Sequence, residues 1–312
     1  MKKLLFLIYL ISSLITQAQP ISDSTSIIKN EQSNTNRIWL ISGLTTVSFG
    51  GSFVYLNEAW YKDYKRAPLH AYNDIGEWQQ VDKVGHMVTA YHTSRIYSGM
   101  WKWAGVPDKK AVLLGTGSSL LYMLSIEYLD GRSAEWGWSW ADAGADILGS
   151  ALFASQELLW KDQKIQFKFS TTHKKYNGDL KQRADKLFGA SFQERLIKDY
   201  NAQTYWLSLN ASSILPNTNL PKWLNFSLGY GADNMFGGYT NIVNDENGNV
   251  IFDRSDLKRF RQWYLAPDVD FTKIKTNSRL LKTVFFAFNF IKFPAPAFEL
   301  SKGKIKFHAI AF

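Results

Sequence analysis

Three apolar stretches of this chain each carry two ionisable side chains one helical turn apart, and that pattern restricts the fold more than any other feature. Asp82 and His86 lie four apart in a segment that reads as a helix from about Gln80 to Trp103. Glu127 and Asp130 lie three apart at the end of a second, Lys110 to about Tyr128, whose core Ala111 to Ile126 carries no charge. Asp142 and Asp146 lie four apart on a third, about Trp140 to Trp160, with Ser139 placed as its cap. Residues at these spacings share one helical face. An uncompensated buried ion costs several kcal/mol. The pairs are therefore expected to converge on one another, on Lys83 or Arg132, or on a cation.

Three readings of the cluster Asp82, Lys83, His86, Glu127, Asp130, Asp142 and Asp146 fit the residue types. It is a buried salt-bridge network that orients helices, a site for a bound headgroup, or a divalent-metal site drawing on Asp82, His86, Glu127 and Asp146. The spacing is not a zinc signature, because no His-Glu-x-x-His occurs. Other candidates are weaker. His70, His92, His173 and His308 have no placed partners and read as surface or interfacial residues. Gly115-Thr116-Gly117-Ser118-Ser119 lacks a phosphate-loop lysine, Ser94 and Ser98 lack a nucleophile elbow, and Trp136-Gly137-Trp138-Ser139-Trp140 reads as an interfacial or packing element.

The N-terminus supplies an address. Met1-Lys2-Lys3, an apolar run from Leu4 to Ile15 and small residues at Thr16 and Ala18 describe a secretory signal, residues 1–18. No cysteine follows it, so it offers no lipoprotein attachment site. The chain has no cysteine at all, which excludes disulfides, thiolate metal sites and cysteine nucleophiles. Net charge is +9. In an exported chain this favours a membrane lipid or an anionic envelope polymer as partner over nucleic acid. The 12 Trp and 15 Tyr suit either a membrane boundary or an aromatic core.

The rest of the chain divides by periodicity. Residues 19–36 read as a polar, disordered leader. Ile38 to Leu56 is uncharged and long enough for a membrane span, but is rich in Ser, Thr and Gly. With the three helices above it gives a membrane-type four-helix domain, 37–161, whose many small residues allow close approach. Residues 162–203 read as a linker: Lys161 to Lys186 is basic, and a short amphipathic helix with Phe188, Phe192 and Leu196 on one stripe follows. From 204 to 312 the period is two, with alternation at Leu224 to Tyr230 and Gln262 to Phe271. Thr204 to Asn210, Leu281 to Lys292 and Lys304 to Phe312 read as further strands, and Asn247-Gly248 as a hairpin turn. About six strands are too few for a closed membrane barrel. The expected fold class is α+β, a four-helix bundle followed by an antiparallel β module.

Asp82-Lys83-x-x-His86, Glu127-x-x-Asp130-Gly131, Trp136-Gly137-x-Ser139-x-x-Asp142 and Asp146-x-x-Gly149 together resemble domain of unknown function family 2279, the predicted periplasmic lipoproteins. Trp60 to Tyr64 and Asp199 to Trp206 resemble it too. The Asp-Lys-x-x-His order is also distantly similar to VanZ-type membrane proteins. The resemblance implies an envelope protein with a helical membrane-type domain and implies no reaction. The chain departs from the lipoprotein description in lacking a cysteine. The leading expectation is a non-enzymatic envelope protein at the outer membrane or the periplasmic face of a membrane. The alternative is a metal-dependent hydrolase acting on a lipid or cell-wall headgroup.

Overall fold

The computed structural model describes residues 34–61, 65–245 and 247–311. The export signal and most of the polar leader lie outside those residues. The fold is α+β, with helices in the first half and an antiparallel sheet of six strands in the second.

The long helices are α1 (Thr35–Leu56), α2 (Val81–Trp103), α3 (Asp108–Asp130) and α4 (Trp140–Leu159). Ser139 caps α4 as its position implies, its hydroxyl accepting from the Asp142 N–H at 3.0 Å. Helices α2, α3 and α4 pack against one another, and small residues set how closely. A Cβ on Gly149 would lie 2.0 Å from the Met87 carbonyl oxygen, and one on Gly115 would lie 2.2 Å from Ser98 Oγ. The Ser94 and Ser119 hydroxyls bridge the same contacts, to Ser150 Oγ and the Ala90 carbonyl. Helix α1 touches the others through Phe49 on Tyr97 and Tyr122, Phe53 on Tyr122 and Arg37 on Trp103. Trp39, Val47 and Val54 on α1 are exposed.

Strands β1 (Ile165–Thr171), β2 (Gln203–Asn210), β3 (Leu224–Asp233), β6 (Phe260–Val269), β7 (Ala295–Ser301) and β8 (Lys304–Ala311) form the sheet in that order, every neighbour antiparallel. β4 (Ile242–Asn244) and β5 (Val250–Asp253) form a separate hairpin around Asn247-Gly248, where Gly248 takes φ +84°. The register aligns Phe167, Leu207, Leu228, Leu265, Phe298 and Phe307 in one row across all six strands. At the β1–β2 end, α2 covers this face, and Phe167 joins Val88, Tyr91, Val112 and Phe153 in the core.

Several sequence expectations need correction. The segment Leu281 to Lys292 is not a strand. Its first part is helix α7 (Arg279–Phe288), capped by Ser278 Oγ accepting from the Leu281 N–H; the helical spacing of Leu280, Val284 and Phe288 prevails over the strand propensity of the Val and Phe. The basic stretch Lys161 to Lys186 is not a plain connector, because it contains β1 with Lys168 wholly buried. The single amphipathic helix is two: α5 (Gly178–Phe188) and α6 (Phe192–Lys198), broken at Gly189, whose φ of +82° no other residue type takes as easily. β7 shows no signal that the sequence reading used. His92 is half-buried, its ring on the Phe167 carbonyl and edge-on to Phe290.

Two predictions follow from the packing. Gly149→Ala forces α2 and α4 apart and is expected to cost about 1–3 kcal/mol, read as a lower denaturation midpoint in urea; an unchanged midpoint would show that the close approach is not needed. Burial, helped by Arg95, holds the His92 imidazole down to about 3 from its ordinary 6.5. It stays neutral beside the Phe167 carbonyl oxygen, 2.8 Å from Nε2. The unfolded chain takes up this proton below pH 6.5 and the folded chain does not until near pH 3. Stability from this residue therefore falls as pH drops through that window, by about 1.4 kcal/mol per pH unit. The stability gap between wild type and His92→Gln should narrow steadily from pH 6.5 to pH 4.

Candidate functional site

All seven residues singled out from the sequence meet between α2, α3 and α4. Lys83 is the hub on one side. Its ammonium lies 2.5 Å from Asp74 Oδ2, 2.9 Å from Asp142 Oδ2 and 3.0 Å from Asp82 Oδ2. His86 is the hub on the other. Nδ1 lies 3.1 Å from Asp146 Oδ1 and 3.7 Å from Glu127 Oε1, and Nε2 lies 4.0 Å from Asp142 Oδ1. Asp130 stands at the margin, accepting a 2.7 Å hydrogen bond from the Tyr61 hydroxyl. Arg132, the other cation considered as a partner, is exposed.

Three residues complete the site that sequence spacing did not reveal. Asp74, in the loop before α2, accepts from Lys83 and from Ser139 Oγ at 2.5 Å. Ser139 serves twice, since its N–H also donates to Glu127 Oε2 at 3.3 Å. Tyr200, far along the chain, donates to Asp82 Oδ1 at 2.5 Å. Tyr200 lies outside every periodic helical segment, so spacing does not mark it. Asp74 lies on no periodic segment either.

A strained turn delivers α2 to this position. Trp78, Gln79 and Gln80 have φ of 47°, 53° and 64°, three consecutive non-glycine residues in the left-handed region. Each costs about 1–2 kcal/mol, so surrounding contacts must hold the turn. The sheet supplies them: the Tyr230 hydroxyl donates to the Gln79 carbonyl, and Arg261 Nη2 donates to Gln80 Oε1 at 2.6 Å.

Charge in the cluster is unbalanced, with six carboxylates facing Lys83 and His86. Burial pushes Glu127 up to about 9, with neighbouring Asp142, Asp130 and Asp146 adding to it against the pull of His86. Burial raises Asp130 to about 6 and raises Asp146 as well. Asp82 and Asp142 divide unequally. Burial opposes both charges, but His86 and Lys83 hold the Asp82 carboxyl below the usual range, while Asp142 beside it is pushed up. Burial opposes the His86 charge too, yet its hydrogen bond to Asp146 and the surrounding carboxylates raise it well above its ordinary value.

Three carboxylate oxygens in this centre, Glu127 Oε1, Asp142 Oδ1 and Asp146 Oδ2, are buried without a hydrogen-bond partner. Their residues are at most 4 % exposed. Two donor sets are compact enough for a cation: Asp82, His86 and Asp142, and His86, Glu127 and Asp146, the ligand atoms of each set lying within 4.8 Å of one another. Beside the cluster, a cleft of about 290 Å³ is lined by Ala71, Tyr72, Asn73, Asp74, Trp140 and Ala141. Asp74 thus belongs to the cleft wall and to the Lys83 network together.

The other residues considered as sites do not join it. Gly115 to Ser119 lies within α3, Ser94 and Ser98 are spent on helix contacts, and His308 pairs with Glu299 at 2.7 Å. Trp138 packs edge-on against Trp140, and Trp136 against Tyr61. Removing the Lys83 hub is expected to be severe. Lys83→Met leaves Asp74, Asp82 and Asp142 facing one another, and should cost about 3–5 kcal/mol in chemical denaturation at neutral pH. The loss should shrink on acidification, as the carboxylates protonate; a loss independent of pH would point to packing alone.

Residues 72–156 match the model of a family described as predicted periplasmic lipoprotein (DUF2279), and that span contains Asp74 and all seven cluster residues. No curated protein and no solved structure matches the chain, and the similarity to VanZ-type proteins gains no support from these comparisons. The family's description agrees with the export signal read at the N-terminus and with an address in the cell envelope.

Proposed function

We propose that this envelope protein is membrane-associated and that its helical half holds a divalent cation at His86. The observation that carries the cation is the set of three buried carboxylate oxygens, Glu127 Oε1, Asp142 Oδ1 and Asp146 Oδ2, without partners around one imidazole. Buried polar atoms are nearly always satisfied, and these acceptors face a site already crowded with acceptors. An anionic headgroup would add repulsion, whereas a cation meets Glu127 and Asp146 in one donor set, or Asp142 in the other. The more enclosed set, His86 with Glu127 and Asp146, is the first choice. One nitrogen with carboxylate oxygens suits zinc, manganese or ferrous iron better than calcium or magnesium. Membrane association rests on exposed apolar surface. Helices α1 and α3 are long and apolar enough to cross a membrane, and they expose Trp39, Val47, Leu113 and Leu121. Nothing in the proposal requires either to span.

The cleft beside Asp74 favours a second reading, in which the cation serves a hydrolase acting on a lipid or cell-wall headgroup. A headgroup in the cleft would lie against Asp74 and Trp140, with Lys83 behind them. A bound cation supplies Lewis acidity; Lys83 and Ser139 fix the carboxylates around it.

Metal analysis of the purified protein tests the cation. Wild type should retain a divalent metal through dialysis, and added Zn²⁺ or Mn²⁺ should raise its thermal midpoint. His86→Ala should lose both effects. Glu127→Gln keeps the acceptor for the Ser139 N–H, so it should remain folded while binding metal more weakly. If wild type carries no metal, gains nothing from added ions, and His86→Ala merely unfolds more easily, the cluster is a structural network.

A further inference from the structure

The six-stranded sheet has its polarity reversed. Its enclosed face carries Lys168, Ser208, Asn225, Asp268 and Glu299, all buried, around a small cluster of Trp206, Ala266 and Ala297. Lys168 and Asp268 pair at 3.0 Å with no exposure at either side chain, and Lys292 reaches Asp268 at 3.7 Å. Phe290 to Lys292, just before β7, hydrogen-bonds to β1 at Phe169, so the sheet curls around this polar interior. The opposite face is apolar and faces outward once α2 is passed. Leu228, Leu265, Phe298 and Phe307 form one register row and are 47–61 % exposed. Tyr230, Trp263, Leu300 and Ile305 form the next. A sheet surrounded by water places its polar residues outside; polar within and apolar without is the arrangement of a sheet against lipid.

Helix α7 repeats the pattern independently. Leu280, Leu281, Val284 and Phe288 are exposed along it. Its other side is the one fixed to the protein, through Phe285 stacked on Phe271 and Phe286 under Arg95. Phe293 packs edge-on against the same Phe271, whose ring also lies under the Lys168 ammonium, so the helix is anchored beside β1. Arg279 and Lys282 are exposed on α7. Arg261 leads into the Trp263 end of the sheet face, and Lys302 and Lys304 flank the β7–β8 turn. Basic residues bordering an apolar surface match an anionic headgroup layer.

We propose that the outer face of β3, β6, β7 and β8 is the lipid-contacting surface, entering the hydrocarbon of one leaflet, with the exposed stripe of α7 as a second apolar element that enters beside it. This rests on the membrane association proposed above and is independent of the cation. The height of the surface selects one leaflet. From Trp263 to Pro267 the face rises roughly 13 Å at about 3.3 Å per residue, against a hydrocarbon core of about 30 Å. A groove of about 190 Å³ lined by Val84, Leu207, Leu228, Tyr230 and Trp263, among others, extends the apolar face beneath α2.

The absence of native cysteine makes a site-specific test direct. Single variants Leu265→Cys, Phe307→Cys and Leu281→Cys, each at an exposed position, and Asn247→Cys at the hairpin tip, are labelled with an environment-sensitive fluorophore. Each full-length protein is mixed with phosphatidylethanolamine–phosphatidylglycerol vesicles carrying doxyl-labelled acyl chains, and binding is read separately by flotation. The expected result is flotation, with a blue shift and doxyl quenching at 265, 307 and 281 and neither at 247. Flotation with all four probes still in water overturns the surface assignment and leaves membrane association standing. No flotation overturns both. A blue shift at 265 and 307 without vesicles, with a doubling of molecular mass, means that a second copy covers the face and also overturns the proposal.

Discussion

Six carboxylates meet two cationic side chains between α2, α3 and α4, and the helical half is stable only if that excess of negative charge is answered. Lys83 answers part of it by contacting Asp74, Asp82 and Asp142 together. His86 answers another part through Asp146. What remains, on Glu127, Asp142 and Asp146, is met either by protons, which the upward shifts of these groups reflect, or by a cation. The placement of α2 follows from this requirement. It demands helix backbones close enough that Gly149 and Gly115 admit no side chain, and a left-handed turn at Trp78 to Gln80 that contacts from the sheet help sustain.

The two halves are consequently one mechanical unit at the site. Tyr200, just before β2, binds Asp82, and Tyr230 and Arg261 of β3 and β6 hold the turn that aims Lys83. The sheet can serve in this way because its own interior is fixed by a second set of buried ions, Lys168 and Lys292 about Asp268. Polar atoms thus knit the sheet from within, around Trp206 and a few alanines, and its Leu and Phe side chains on β3, β6, β7 and β8 remain outside. A polar interior and an apolar exterior in an exported chain form a consistent pair, since a sheet held by ions and hydrogen bonds does not need its apolar face for its own core.

The legible part of the site was the part written in helical periodicity. Asp82 and His86, Glu127 and Asp130, and Asp142 and Asp146 stand at spacings that put each pair on one face, and burial cost then brings the faces together. Asp74 sits in a loop and Tyr200 arrives from 118 residues beyond Asp82, so no local pattern marks either. In the sheet, alternation identified β2, β3, β6 and β8 but not which face turns inward, because period two is the same for both. β1 was hidden by Lys168, a charge that reads as solvated until Asp268 is found beside it. α7 was hidden by its Val and Phe content, and the Ser278 cap was the overlooked clue.

The cluster's ability to take a cation is the claim on which the account turns, and anomalous diffraction from crystals soaked in Mn²⁺ measures it most directly. The account predicts a single anomalous peak within bonding distance of His86 Nδ1 and the carboxylates of Glu127 and Asp146, with the Lys83 contacts unchanged. A centre without anomalous signal at saturating Mn²⁺, its three carboxylates hydrogen-bonded to one another or to ordered water, would contradict it.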